Sequence, residues 1–331
     1  MCPFSFMEGV MDLYNIPNDD GKRYRKQVFL SMLEPEKGYI DGATDYCMLV
    51  PFSKQFGLNT EEKLWLSFLY GLTYSQTSAM RVFIEFPDLG SINLNALRDF
   101  WGSEKSTLYF SKDKLRIKNN DQFIPSIMSM KSKLVESESS FEQLYAEHDT
   151  FERLYKWVIK EWRFFGPHGA YLFFDSVYGL LPKLYKDPNK LDWKNCGKTV
   201  AQGMSHLLYL DELSSVSVKE HNLSKYDKFV DKLQDRSNQP KIIIESTLCA
   251  FRKLFKGTRY SGYYADRMLE EVSESLKNVP TFWRENGIDL YEYRAKSIPE
   301  CLRGETQGWS GIRQERMRDW LDKGVLRWPR K

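Results

Sequence analysis

The sequence predicts an all-α, multi-helix protein, and three observations predict it. Apolar residues recur with a period of 3.6 through most of the chain, and helix-starting and helix-stopping residues bracket those runs. Alternating strand patterns are missing apart from one possible small β-ribbon at 107–118, "TLYFSKDKLRIK". A chain of 331 residues with 42% hydrophobic composition can bury a sizeable core. Its 15% aromatic content leaves rings to spare for stacking on a flat ligand.

In chain order, the first helical patterns fall at 23–34 and 44–56. In "NTEEKLWLSFLYGL", Asn59 is placed to cap a helix with Glu62 at its third position, and Leu64, Trp65, Phe68, Leu69 and Leu72 share one face. A polar "TYSQTS" (73–78) leads to a second helix, capped by Ser78 or Thr77, with Met80, Val82, Phe83 and Phe86 before Pro87 stops it. Further patterns cover 94–102, 120–134, 140–148, 150–164, 168–183, 198–210, 225–236, 242–256, 262–277 and 312–323. The linker-like "KSKLVESESSFEQ" (131–143) suggests an N-terminal lobe (1–135), a central lobe (136–280) and a C-terminal segment (281–331).

Five Cys at 2, 47, 196, 249 and 301 form no CxxC pair or zinc spacing, so neither a disulfide framework nor a metal or other cofactor is indicated. No apolar run reaches the roughly 18 residues that span a bilayer, and the first residues lack a leader pattern. A cytoplasmic protein without a membrane partner is expected. Net charge is +3, but residues 303–331 carry eight Lys/Arg against four acids, together with Trp309, Trp320 and Trp328. Cations interleaved with flat rings suit nucleic acid; a solvated helix packed by its Trp residues is the other reading.

Three blocks carry candidate chemistry. In "EWRFFGPHGAYLFFDSVYGLLP" (161–182), Gly166 and Pro167 open a helix that is apolar nearly all round and therefore buried. His168, Tyr171 and Asp175 fall along one face of it. A buried Asp175 needs a partner, with Arg163 or a Lys as candidates, and serves either chemistry or the anchoring of a neighbouring helix. In "KIIIESTLCAFRKLFKGTRYSGYYADRMLEE" (241–271), six Lys/Arg oppose two acids up to residue 267. Arg252, Lys253 and Lys256 point away from the core face, and Arg259, Tyr260, Tyr263, Tyr264 and Arg267 follow in or after a Gly-bounded loop. That convergence favours a phosphate-plus-base site over a solvated face. In "LDWKNCGKTVAQGMSHLL" (191–208), Gly197, Lys198 and Thr199 start a helix whose unpaired amides can seat a phosphate.

The Gln76–Thr77 turn, followed by a short helix and "FPDLGSINLNALRDF", is similar to the start of helix-hairpin-helix DNA glycosylases, and 191–208 loosely resembles their hairpin. Together, "LYGLTYSQTSAMRVFIEFP", "WRFFGPHGAYLFFD" and "FRKLFKGTRYSGYYADR" resemble the phage amino acid:DNA transferases, the α-glutamyl/putrescinyl thymine pyrophosphorylases, over about residues 20–275. That resemblance implies a helix-hairpin-helix glycosylase-like fold. It also implies an enzyme that replaces pyrophosphate on 5-pyrophosphoryloxymethyluracil in double-stranded DNA with an amine donor, an amino acid or a polyamine such as putrescine.

Each chemical demand has candidates. Turning a base out of the stack needs a wedge and receiving rings, for which Gln76, with Thr77 beside it, and Tyr260, Tyr263 or Tyr264 are the expectation. Charge developing on pyrophosphate needs fixed cations: Arg163, Arg252, Lys256, Arg259 and Arg267, with Lys198 on DNA phosphate. The donor amine must lose a proton, and His168, Asp175 and Asp266 are the candidate acid/base groups. A DNA glycosylase excising a modified base, or a non-catalytic DNA-binding protein, are the alternatives.

Overall fold

The computed structural model describes residues 29, 30, 33, 47–193, 198–208, 223–255 and 263–298. Among them the protein is all-α, with fifteen α-helices and no strand. In chain order these are α1 (Leu49–Gln55), α2 (Thr60–Thr73), α3 (Gln76–Glu85), α4 (Leu94–Glu104), α5 (Leu115–Asn119), α6 (Phe123–Ser137), α7 (Phe141–Glu147), α8 (Phe151–Glu161), α9 (Pro167–Leu180), α10 (Lys198–Leu208), α11 (Leu223–Ser237), α12 (Lys241–Phe255), α13 (Tyr263–Asn278), α14 (Pro280–Glu285) and α15 (Leu290–Ser297). No helix among the described residues is long and apolar enough to cross a membrane. Of the helix expected at 23–34, residues 29, 30 and 33 are described and helical. The pattern at 312–323 and the Trp-containing basic tail lie outside the described residues.

The chain divides into two compact units, one of residues 46–189 with 271–297, the other of residues 1–45, 190–270 and 298–331. This corrects the division expected at 135/136, which falls inside α6. The supposed linker is tied down by charge and capping. Ser140 and Gln143 form a capping box at the start of α7, and the Glu61 carboxylate accepts from the Phe141 and Glu142 amides at 2.6 and 2.7 Å. An anion at a helix N-terminus is stabilised by the positive dipole end, so 138–142 reads as a tight corner and not a hinge.

The supposed ribbon at 107–118 is also corrected. Ser111 leads into a 3-10 turn, Lys112–Lys114, that continues into α5. Buried Lys114 and Ile117 are three residues apart, a helical repeat that the alternation of Leu108 with Phe110 disguises.

In the 46–189/271–297 unit, α2 packs against α3, α7 and α9. Asn59 and Glu62 form the capping box that starts α2. The Trp65 indole N–H donates to the Phe86 carbonyl at 2.7 Å, fixing the end of α3, while Phe68 stacks on Trp65 and on Phe165. Trp162 and Phe173 extend the same ring cluster at 4.8 Å. Each such ring contributes about 1.5–3 kcal/mol by leaving water. In the other unit, α12 packs on α10 and α11. A Cβ on Gly203 would overlap the Leu248 carbonyl oxygen, so only glycine permits the α10–α12 approach.

Candidate functional site

The polar turn between α2 and α3 is built by a left-handed residue and a ring of acceptors. Tyr74 ends α2 at φ 50°, and Ser75, rather than the expected Ser78 or Thr77, caps α3 by accepting from the Ser78 amide. Glu271 of α13 then closes the turn. Its Oε1 accepts from Ser75 Oγ at 2.7 Å, Thr77 N at 2.6 Å and Thr77 Oγ1 at 3.0 Å, while Ser275 Oγ donates to Thr77 Oγ1 at 2.7 Å. A buried carboxylate satisfied by three donors at a helix start is a structural anchor.

Gln76 is 2% exposed, and its Oε1 accepts from the Met48 amide at 2.6 Å. This corrects the wedge expectation for Gln76, and with it the DNA contact expected of Thr77, which is equally buried. A side chain committed to a backbone donor in the interior is not placed to enter a duplex.

The start of α9 forms where the sequence places it, with Gly166 at the cap and Pro167 as first residue. α2 meets it through two glycines: a Cβ on Gly71 would lie 3.0 Å from the Gly169 carbonyl oxygen and 2.8 Å from Phe165 Cε1. The exposed His168 ring stands edge-on to Tyr74 at 5.3 Å. Lys114 is sealed beneath this corner at 3% exposure, its Nζ 5.6 Å from the centre of the Phe165 ring. Burial, and then the Arg116 charge, lower its pKa to about 7 against the opposing pull of Asp113.

Asp175 is buried further along α9. Seven residues of helix separate it from His168 by roughly 10 Å of rise, so the two do not form one constellation. Asp175 lies instead near Tyr185, whose phenol donates to Asp187 at 3.0 Å. Burial first, then Asp187 and Asp175, hold that phenol well above its ordinary range. The partner proposed for Asp175, Arg163, is exposed with its guanidinium over the Phe164 ring at 5.2 Å.

In the other unit, Arg252 is 2% exposed, which corrects the expectation that it points away from the core. Burial lowers its pKa. Tyr264 and Asp266 are also buried, and Arg267 is half-buried. Lys256, Arg259 and Tyr260 lie outside the described residues, as do the side chains of Lys198 and Tyr263 at the starts of α10 and α13. Burial pushes the Glu245 carboxyl up to about 8, so it is largely protonated at neutral pH.

A separate cleft of about 560 Å³ lies between α1 and α15, lined by Val50, Lys54, Gln55, Tyr293 and Lys296 among others. It contains none of the candidate catalytic, pyrophosphate-binding or DNA-binding residues named from the sequence. Among the described residues no group of three or more His, Cys, Asp or Glu stands close enough to hold a metal ion.

Lys114 and Glu271 are the site residues that the sequence reading missed. For Lys114 the available signal was its three-residue spacing to Ile117. Glu271 carries none, since its partners lie 194 and 196 positions away. The chain gives no significant match to any protein-family model, curated protein or solved structure.

Proposed function

We propose that the protein is an amine:DNA transferase that replaces the pyrophosphate of a 5-pyrophosphoryloxymethyluracil base with an amino acid or polyamine. One observation carries the reading beyond the sequence resemblance. Two of the three blocks on which that resemblance rests, 69–87 and 162–175, fold against each other through Gly71 and Gly169. Buried Tyr74 and exposed His168 meet ring to ring at the edge of that contact.

In the reaction the base methylene–oxygen bond breaks, and its electron pair leaves with pyrophosphate. The amine lone pair forms the new carbon–nitrogen bond, and the resulting ammonium gives up one proton. His168, exposed at this corner, is the proposed base for that proton. Fixed cations lower the barrier by matching charge that develops only as pyrophosphate departs. Arg163, exposed on the segment that leads into α9, is a candidate for one of them.

The reading is tested by mass spectrometry of nucleosides after incubating the protein with pyrophosphorylated hydroxymethyluracil DNA and a mixture of amines. A nucleoside heavier than thymidine by one donor less two hydrogens is expected. Release of a free base would make the protein a glycosylase, and unchanged DNA would remove the transferase reading.

A further inference from the structure

The cleft between α1 and α15 follows from which side chains the two helices turn toward each other. Leu49, Phe52 and Ser53 of α1 are buried on its core face. Val50, Pro51 and Lys54 take another face, and Tyr293, Lys296 and Ser297 of α15 line the cleft at helical spacings of three and four residues. The hollow between them is about 560 Å³, within the roughly 300–1,000 Å³ that small-ligand sites occupy. The two helices are fixed across it. Gln55 Nε2 donates to the Gly287 carbonyl at 2.9 Å, tying the end of α1 to the loop before α15, and the Phe52 ring stands edge-on to Tyr293 at 6.4 Å.

Two features of the lining point to an anion. The described lining residues include Lys54 and Lys296 and no Asp or Glu, so positive charge there is not matched from within the cleft. Lys296 pairs at 2.6 Å with Glu292, one turn back along α15, whereas Lys54 forms no ion pair among the described residues. The second feature is Tyr293. It is 2% exposed, and its phenol has no hydrogen-bond partner among the described residues. Burial first, and then the Glu292 charge, push its pKa up to about 12, so it remains a donor at neutral pH. A buried donor left unmet is costly, and an acceptor seated on the floor of the cleft would meet it.

We propose that the α1–α15 cleft binds a small organic molecule with an oxyanion head, its charge toward Lys54 and Lys296, its body on Val50 and Pro51, and an acceptor atom on the Tyr293 phenol. A lysine ammonium is a compact charge that serves carboxylate and phosphate alike, so both sources share this chemistry. A diamine carries the wrong sign. The Cys47 end of the cleft adjoins the polar turn before α3, because the next amide, that of Met48, donates to Gln76, two residues beyond the Tyr74 ring that meets His168. Assigning the anion to the amine donor, which makes that donor an amino acid and not a polyamine, rests on the transferase reading; the binding of an anion in the cleft does not.

Calorimetric titration of the full chain with glutamate, glycerol phosphate and putrescine, in separate runs, tests the cleft. At least one of the two anions should bind, the tighter one naming the head, and putrescine should not. Joint Lys54→Glu and Lys296→Glu substitution should weaken anion binding roughly 10-fold or more, the scale of a lost charged hydrogen bond. Both side chains are exposed, so the fold should persist. Tyr293→Phe separates binding from structure: with no partner to lose, the free protein should melt no lower than wild type, while anion binding weakens several-fold. Val50→Trp, which fills the hollow from a half-buried position, should abolish binding, with the thermal melt used to confirm folding. Failure of both anions to bind, putrescine binding as tightly, or anion affinity unchanged in the lysine or tyrosine variants would overturn the proposal, whatever the product analysis shows. If glutamate binds here and the DNA product carries putrescine, the cleft stands and its assignment to the donor falls.

Discussion

Gly71 and Gly169 face each other so closely that a Cβ on the first would stand 3.0 Å from the carbonyl oxygen of the second. This contact locks α2 to α9 and lets Phe165 slide beneath Gly71. It also sets Tyr74, at the end of one helix, beside His168, at the start of the other. Gly71→Ala should therefore destabilise the fold by about 1–3 kcal/mol, the range for overpacking a tight contact. Chemical denaturation measures it; an unchanged midpoint would mean that α2 and α9 separate at little cost.

Glu271 should matter more than any single hydroxyl it holds. Glu271→Ala leaves Ser75 and Thr77 without their common acceptor, and a loss of about 3 kcal/mol is expected from stranding buried donors. Glu271→Gln keeps one acceptor oxygen and should lose less. Equal losses for the two variants would show that the charge at the start of α3, and not the acceptor, carries the stabilisation.

Gln76→Ala removes the acceptor for the Met48 amide. The expected cost is about 1–3 kcal/mol of stability. Any loss of activity should be equal on single- and double-stranded DNA, because a buried residue does not assist base extrusion. A deficit confined to duplex DNA would restore the wedge role.

Much of the local structure was legible because its causes are local. Asn59 with Glu62, and Gly166 with Pro167, are helix starts written within four residues, and the structure contains both. What the sequence hid was which side of a helix the polar residues take. Arg252 and Lys114 are cations in strongly basic stretches, where solvent is the ordinary expectation, yet both are interior. Gln76 looked like an exposed turn residue, but its place is set by Met48, 28 positions earlier. The ribbon expected at 107–118 fails for a related reason: a short alternation of Leu108 and Phe110 outweighed the helical spacing that follows it.

Glu245 should give the protein a stability that depends on pH. Its folded pKa, about 8, is raised from 4.5 by burial. The contribution is therefore fully present below about pH 4.5 and lost as pH rises through 8, with a slope near 1.4 kcal/mol per pH unit between them. Glu245→Gln should flatten that slope in denaturation curves collected across the window. A slope that survives the substitution would assign it to another group.

The most direct test of the transferase account is the stoichiometry of a single turnover. Protein in excess over pyrophosphorylated hydroxymethyluracil DNA is mixed with isotope-labelled amine, and released pyrophosphate and DNA-bound label are counted in the same samples. The account predicts that they appear together, one for one, with no free base and no hydroxymethyluracil re-formed. Pyrophosphate released without label in the DNA, or label absent while free base accumulates, would contradict it.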